Sequence, residues 1–148
     1  MQKQVLLDIV KQNEFTCHFS LDKVSEENAS LRLNDKTASI GFIYRHIGET
    51  MHLFGQFFGV ATQVTNSTIG HTDTGQAYDV AQSRQLISTG YAKLRTFVET
   101  TPDEDWLAPV DTPFFGTVSR IRLFAHVLFH NAHHTGQISM TLSRGAKP

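Results

Sequence analysis

Apolar residues recur every three or four positions over four stretches of this chain, a period that belongs to amphipathic helices rather than strands. Val5, Leu6, Ile9 and Val10, continued by Phe15 and Phe19, predict a first helix over about residues 2–20. Gln2, Lys3, Asp8, Lys11 and Gln12 would cover its other side. Residues 21–36 are polar and irregular, with Ser25, Asn28, Ser30, Asn34 and Asp35 favouring turns or caps. Ile40, Ile43, Ile47, Met51 and Phe54 then predict a second helix over about 36–59. Gly41, Gly48 and Gly55 weaken it by up to about 1 kcal/mol each relative to Ala. Their seven-residue spacing points to a neighbouring helix that comes close.

Residues 60–77 are rich in Thr, Gly, Asn and Ser, longer than the usual link between helices. Asp79 reads as the N-cap of a third helix over about 79–100, with Val80, Leu86, Ile87, Tyr91, Leu94 and Val98 facing the core. Pro102, Pro109 and Pro113 break the following segment into a linker, whose Trp106 is expected to tuck against the bundle. The last helix is expected to start near Gly116 or Thr117 and end near Ser143, with Ile121, Phe124, Leu128, Ala132 and Ile138 inward. No stretch reads as a strand. Four amphipathic segments joined by polar loops predict an all-α, single-domain four-helix bundle spanning residues 1–148.

Composition narrows the picture further. With 148 residues, 40% hydrophobic and 18% charged, the chain can bury a real core. A net charge of -1 gives no reason to expect nucleic acid as a partner. Neither a signal peptide nor an apolar run of the roughly 20 residues that span a bilayer is visible, so a cytoplasmic protein without membrane contact is expected. The single cysteine, Cys17, excludes an intramolecular disulfide and any CxxC metal site, and reads as a buried apolar residue.

The candidate chemistry lies in the histidines. Four of eight fall within His126-Val-Leu-Phe-His130-Asn-Ala-His133-His134-Thr-Gly-Gln137. On a helix His130 and His134 stand about 40° and about 6 Å apart, close enough for both imidazoles to reach one cation. By spacing alone His126 with His130 is an equal pair. Two ligands seldom suffice, and His46, bordering the apolar stripe of the second helix, is the candidate third. His52 lies roughly 240° around that helix from His46 and cannot share its face. It reads as a surface or satisfied-core histidine. Glu49, one turn after His46, is the nearest carboxylate able to act as acid/base or to support a ligand, although a solvated glutamate is the commoner case. His71 and Asp73, in the long loop, read as solvated.

Ile40-Gly-Phe-Ile-Tyr-Arg-His46-Ile-Gly-Glu49 and His130-Asn-Ala-His133-His134-Thr-Gly-Gln-Ile138 together resemble the DinB/YfiT-like superfamily of metal-dependent bundle proteins. That family carries one His in the second helix and an HxxxHxGQI pattern in the last. The resemblance covers essentially the whole chain. It implies an up-down-down-up helix order, with residues 60–77 as the crossover. It also implies that His46, His130 and His134 bind a divalent metal, zinc or nickel foremost, and that His126 and His133 do not touch it.

Three neutral nitrogen ligands leave a coordination position open, as catalytic zinc sites do. Water reaching that position can have its pKa lowered to about 7, and a thiol can be held there as thiolate. The expected function is therefore a metal-dependent enzyme activating water or a small-molecule thiol, for hydrolysis or thiol transfer. Two alternatives stand beside it. One is a non-catalytic metal-binding or stress-associated protein, as a homodimer through an apolar helix face. The other is a helical interaction module whose histidines are incidental.

Overall fold

Three of the four long helices start on a side-chain cap. Ser39 accepts from the Phe42 amide, Asp79 from Gln82 and Ser119 from Arg122, each meeting a backbone N–H that the first turn leaves unpaired. A computed structural model describes residues 2–147. Its helices are α1 (Gln2–Leu21), α2 (Ile40–Gly55), α3 (Val80–Thr100) and α4 (Arg120–Arg144). Short 3-10 turns follow α2 at Gln56–Phe58 and precede the last segment at Asp103–Leu107. The second helix thus ends before the predicted residue 59. Gly59 closes the turn in the left-handed region at φ 82°, a conformation glycine adopts without steric cost.

Each of α1 and α2 packs against both α3 and α4. The α2–α3 contact is the closest, and glycine permits it from both sides. A Cβ on Gly48 would stand 2.8 Å from the Leu86 Cβ, and one on Gly90 would stand 2.9 Å from the Met51 Cβ. The seven-residue glycine spacing therefore marks one true helix contact, at Gly48. Gly41 instead meets the Ala29 carbonyl in the loop before α2. Trp106 is buried with its ring edge-on to Phe97 and Phe124, at centroid distances of 5.1 and 5.2 Å, as expected for the linker.

Two expectations fail here. Strands exist: β1 (Pro109–Thr112) and β2 (Gly116–Ser119) pair antiparallel, so α4 starts at Arg120 rather than near 116. Four-residue strands are too short for alternation to show. The hairpin turn rests on the Thr112 hydroxyl, which accepts from the Phe115 amide at 2.9 Å, and on Gly116 at φ 63°. The apolar face assigned to α1 is also wrong in part. Val5, Ile9, Phe15 and Phe19 are 46–62% exposed, and the buried line is Leu6, Val10, Cys17 and Leu21. Apolar residues occupy both sides of α1, and periodicity alone cannot choose the inward one. Cys17 is buried, as read from the sequence.

Candidate metal centre

Three imidazoles meet where α2 crosses α4. His46, in the middle of α2, faces His130 and His134, one turn apart on α4, and a nitrogen from each lies within 4.8 Å of the other two. The ring centroids are 4.8 Å (46–130), 4.8 Å (46–134) and 4.3 Å (130–134) apart. The Nε2 atoms of His46 and His130 approach to 2.9 Å. All three rings are half-buried, and Phe42 stacks on His46 with an interplanar angle of 17°.

The electrostatics of the cluster favour neutral rings. Burial first, then the neighbouring His134, bring the His46 pKa down to about 4 against the opposing pull of Glu49. Burial, then His134, His46 and His126, bring His130 down to about 2. Burial also lowers His134, with its bond to Gln137 acting the other way. A protonated imidazole cannot bind a cation, and these shifts keep lone pairs available at neutral pH.

Two of the rings are oriented from behind. The Nδ1–H of His134 donates to the Gln137 side-chain oxygen at 2.6 Å, leaving Nε2 free. The Nδ1 of His46 lies 3.1 Å from the Thr68 hydroxyl. That threonine belongs to the long α2–α3 connection, which docks here on Glu49. Glu49 is fully buried, contrary to the solvated glutamate that its sequence context suggested. Its Oε1 accepts from Arg45 Nε (2.7 Å) and the Ser67 hydroxyl (2.6 Å). Its Oε2 accepts from the Ser67 and Thr68 amides (2.9 and 3.0 Å) and from the Thr68 hydroxyl (2.7 Å). Burial alone would raise this carboxyl, but the bonds from Arg45, Ser67 and Thr68 outweigh it and hold the pKa below the usual range.

The remaining histidines lie outside the three-ring cluster, with His126 and His133 as its neighbours at ring-centroid distances of 6.0 Å from His130 and 5.0 Å from His134. His52 is buried on the α3 side of α2, where its Nε2 meets the Leu86 carbonyl at 2.9 Å while its Nδ1 has no hydrogen-bond partner, so the ring is a core residue satisfied on one side only. His126 turns into an aromatic group, 4.6 Å from Phe115 and 5.5 Å from Phe54 by centroids. His133 is exposed and meets the Gln137 amide. His71 is exposed too. Asp73, however, is not solvated. Its carboxylate accepts from the Ser39 amide and hydroxyl at 2.7 and 2.6 Å and pairs with Arg32 at 2.8 Å, tying the loop to the start of α2. A concavity of about 740 Å³ lies away from the cluster between α1 and α4, lined by Ile9, Asn13, Leu128, Phe129 and Thr135. A smaller hollow of about 250 Å³ is lined by Ile43, Met140 and Gln137, the last of which bonds His134.

A divalent cation fits the donor set. Burial keeps the three rings neutral, the Gln137 oxygen fixes the proton of His134 on Nδ1, and one nitrogen of each ring faces the other two. Sequence reasoning found these three rings but not Ser67 and Thr68. Nothing in the chain's periodicity joins a loop threonine to a helix 22 residues earlier.

Comparison with solved structures returns the same architecture. YfiT from Bacillus subtilis, described as a probable metal-dependent hydrolase with an unusual four-helix bundle topology, matches with a TM-score of 0.73 at 11% identity, covering 97% of this chain and 87% of its own. A conserved protein from Enterococcus faecalis gives 0.67 at 11% identity, over 93% of both chains. A DinB-like protein from Bacillus cereus ATCC 10987 gives 0.65 at 22% identity, over 92% of this chain and 89% of its own. No curated protein sequence matches. The family pattern of the DinB superfamily matches residues 17–138, from the end of α1 through the whole histidine cluster, and the chain belongs to that superfamily.

Proposed function

We propose that this protein is a divalent-metal-dependent enzyme in which His46, His130 and His134 hold the ion, zinc or nickel, and leave one position open to a small-molecule substrate. The observation carrying this reading is the convergence of three neutral imidazole nitrogens within 4.8 Å. When bound, a cation supplies Lewis-acid polarisation and lowers the pKa of water or of a thiol that reaches it. The chain's own residues supply the rest. His46 and His134 present bare nitrogens because Thr68 and Gln137 engage their far sides. Glu49 fixes the loop that carries Thr68. The reaction is hydrolysis, as the description of the Bacillus subtilis relative suggests, or transfer to a low-molecular-weight thiol.

Turnover of metal-loaded protein against ester and amide substrates, and against electrophiles paired with small thiols, tests this. Activity that disappears in His134→Ala supports the enzyme. No turnover in any combination, or equal turnover by the variant, leaves the alternative of a non-catalytic metal-binding, stress-associated protein.

The finer points of the fold belong to the same reading. An up-down-down-up order, with the α2–α3 connection crossing over the bundle, is consistent with α1 and α2 each packing on both α3 and α4. A homodimer is supported by the exposed Val5, Ile9, Phe15 and Phe19 on α1 and Phe129 on α4. Sedimentation velocity distinguishes one copy from two. No helix of the described residues is long and apolar enough to cross a membrane; a cytoplasmic location is part of this proposal.

A further inference from the structure

Hydrogen counting around Thr68 decides which nitrogen of His46 carries a proton. A threonine hydroxyl has one hydrogen to donate and lone pairs to accept with. Glu49 is buried, paired with Arg45 and ionised, so it accepts only. At 2.7 Å from Glu49 Oε2, the Thr68 hydrogen therefore points to the carboxylate. The contact of the same oxygen with His46 Nδ1, at 3.1 Å, then has one polarity: Nδ1–H donates and Thr68 accepts.

We infer that the Glu49–Thr68 pair is a positioning device that locks His46 in its Nδ1–H form and aims the bare Nε2 at the cation. The inference rests on the metal-site reading above. A carboxylate that supports a metal-bound histidine usually touches the ring itself; here a hydroxyl from a loop is interposed. The arrangement also makes metal binding depend on the α2–α3 connection. Ser67 and Thr68 reach Glu49 with both amides and both hydroxyls, but only Thr68 goes on to a histidine. Phe42, stacked on the same ring, restrains its tilt.

Three variants separate this role from general ordering of the loop. Thr68→Val keeps the shape and removes the hydroxyl; Thr68→Ser restores it. Ser67→Ala removes an equivalent bond to Glu49 without touching His46. Zinc affinity, measured by competition with a chromophoric chelator, is expected to fall about tenfold to a hundredfold in Thr68→Val while Thr68→Ser and Ser67→Ala stay within about threefold of the parent. Equal losses in Thr68→Val and Ser67→Ala, or no loss in Thr68→Val, overturn the inference. Nitrogen-15 NMR of the imidazoles in the metal-free parent reads the same point without any metal. A protonated Nδ1 and bare Nε2 at His46 are expected, becoming mixed in Thr68→Val. An Nε2–H ring at position 46 overturns the lock even if metal binds. Failure to bind zinc with the Nδ1–H form intact overturns the metal reading and leaves the lock standing.

Discussion

His46 and His130 face each other nitrogen to nitrogen, with their Nε2 atoms 2.9 Å apart across the α2–α4 contact. Two bare lone pairs at that distance repel, so in the metal-free protein one ring donates a proton to the other. The lock on His46 makes His130 the donor. A cation held by both Nε2 atoms would take the place of this hydrogen bond, the His130 proton moving to its own Nδ1, and would join the two helices. Zinc or nickel is therefore expected to stabilise the fold by about 2.7 kcal/mol at a free concentration a hundred times Kd. His130→Ala should show no such gain. Thermal melts with and without metal check both statements.

Glu49 is the buried charge on which the long connection rests. Glu49→Ala leaves Arg45, two amides and two hydroxyls without their acceptor. Breaking a buried pair from one side costs about 3–5 kcal/mol. Urea denaturation should show a loss of that size, along with greater proteolytic sensitivity in residues 60–79.

Acid should destabilise the metal-free protein well before ordinary carboxylates titrate. In the unfolded chain a histidine titrates near 6.5, whereas folding brings His46 to about 4 and His130 to about 2. Between these values the unfolded chain takes up protons that the folded site refuses, so stability falls as pH falls. The contribution is fully present above about pH 6.5 and is lost progressively on acidification to pH 4 and below. Denaturation midpoints at a series of pH values should follow this course, with a shallower slope in His46→Ala.

Gly48→Ala tests the α2–α3 contact. The added methyl would stand 2.8 Å from the Leu86 Cβ, with the Ile87 amide nitrogen and the Ser83 carbonyl oxygen each at 3.4 Å. Overpacking of this kind costs about 1–3 kcal/mol. The same substitution at Gly136, where a Cβ meets nothing within 4 Å, should not destabilise the protein.

Features that reside in local sequence were legible. Asp79 caps α3 as read, the helical period located all four helices, and the i, i+4 spacing of His130 and His134 does set their rings together. Features requiring two distant segments were not. His126 and His130 have the same spacing, yet their ring centroids are 6.0 Å apart against 4.3 Å for His130 and His134, and His126 packs instead on Phe115 of the hairpin and Phe54 of α2. That hairpin consists of four-residue strands with no period to detect. Glu49 reads as an ordinary surface residue until the loop folds over it, and the inward face of α1 is decided by α3 and α4 rather than by α1 itself.

The most direct measurement is titration of tag-free, metal-stripped protein with zinc and with nickel by calorimetry, alongside His46→Ala, His130→Ala and His134→Ala. One equivalent bound by the parent, with affinity lost in each of the three variants and retained in His126→Ala and His133→Ala, is the predicted result. Binding that survives removal of any of the three rings, or no binding at all, would contradict a metal centre built from them.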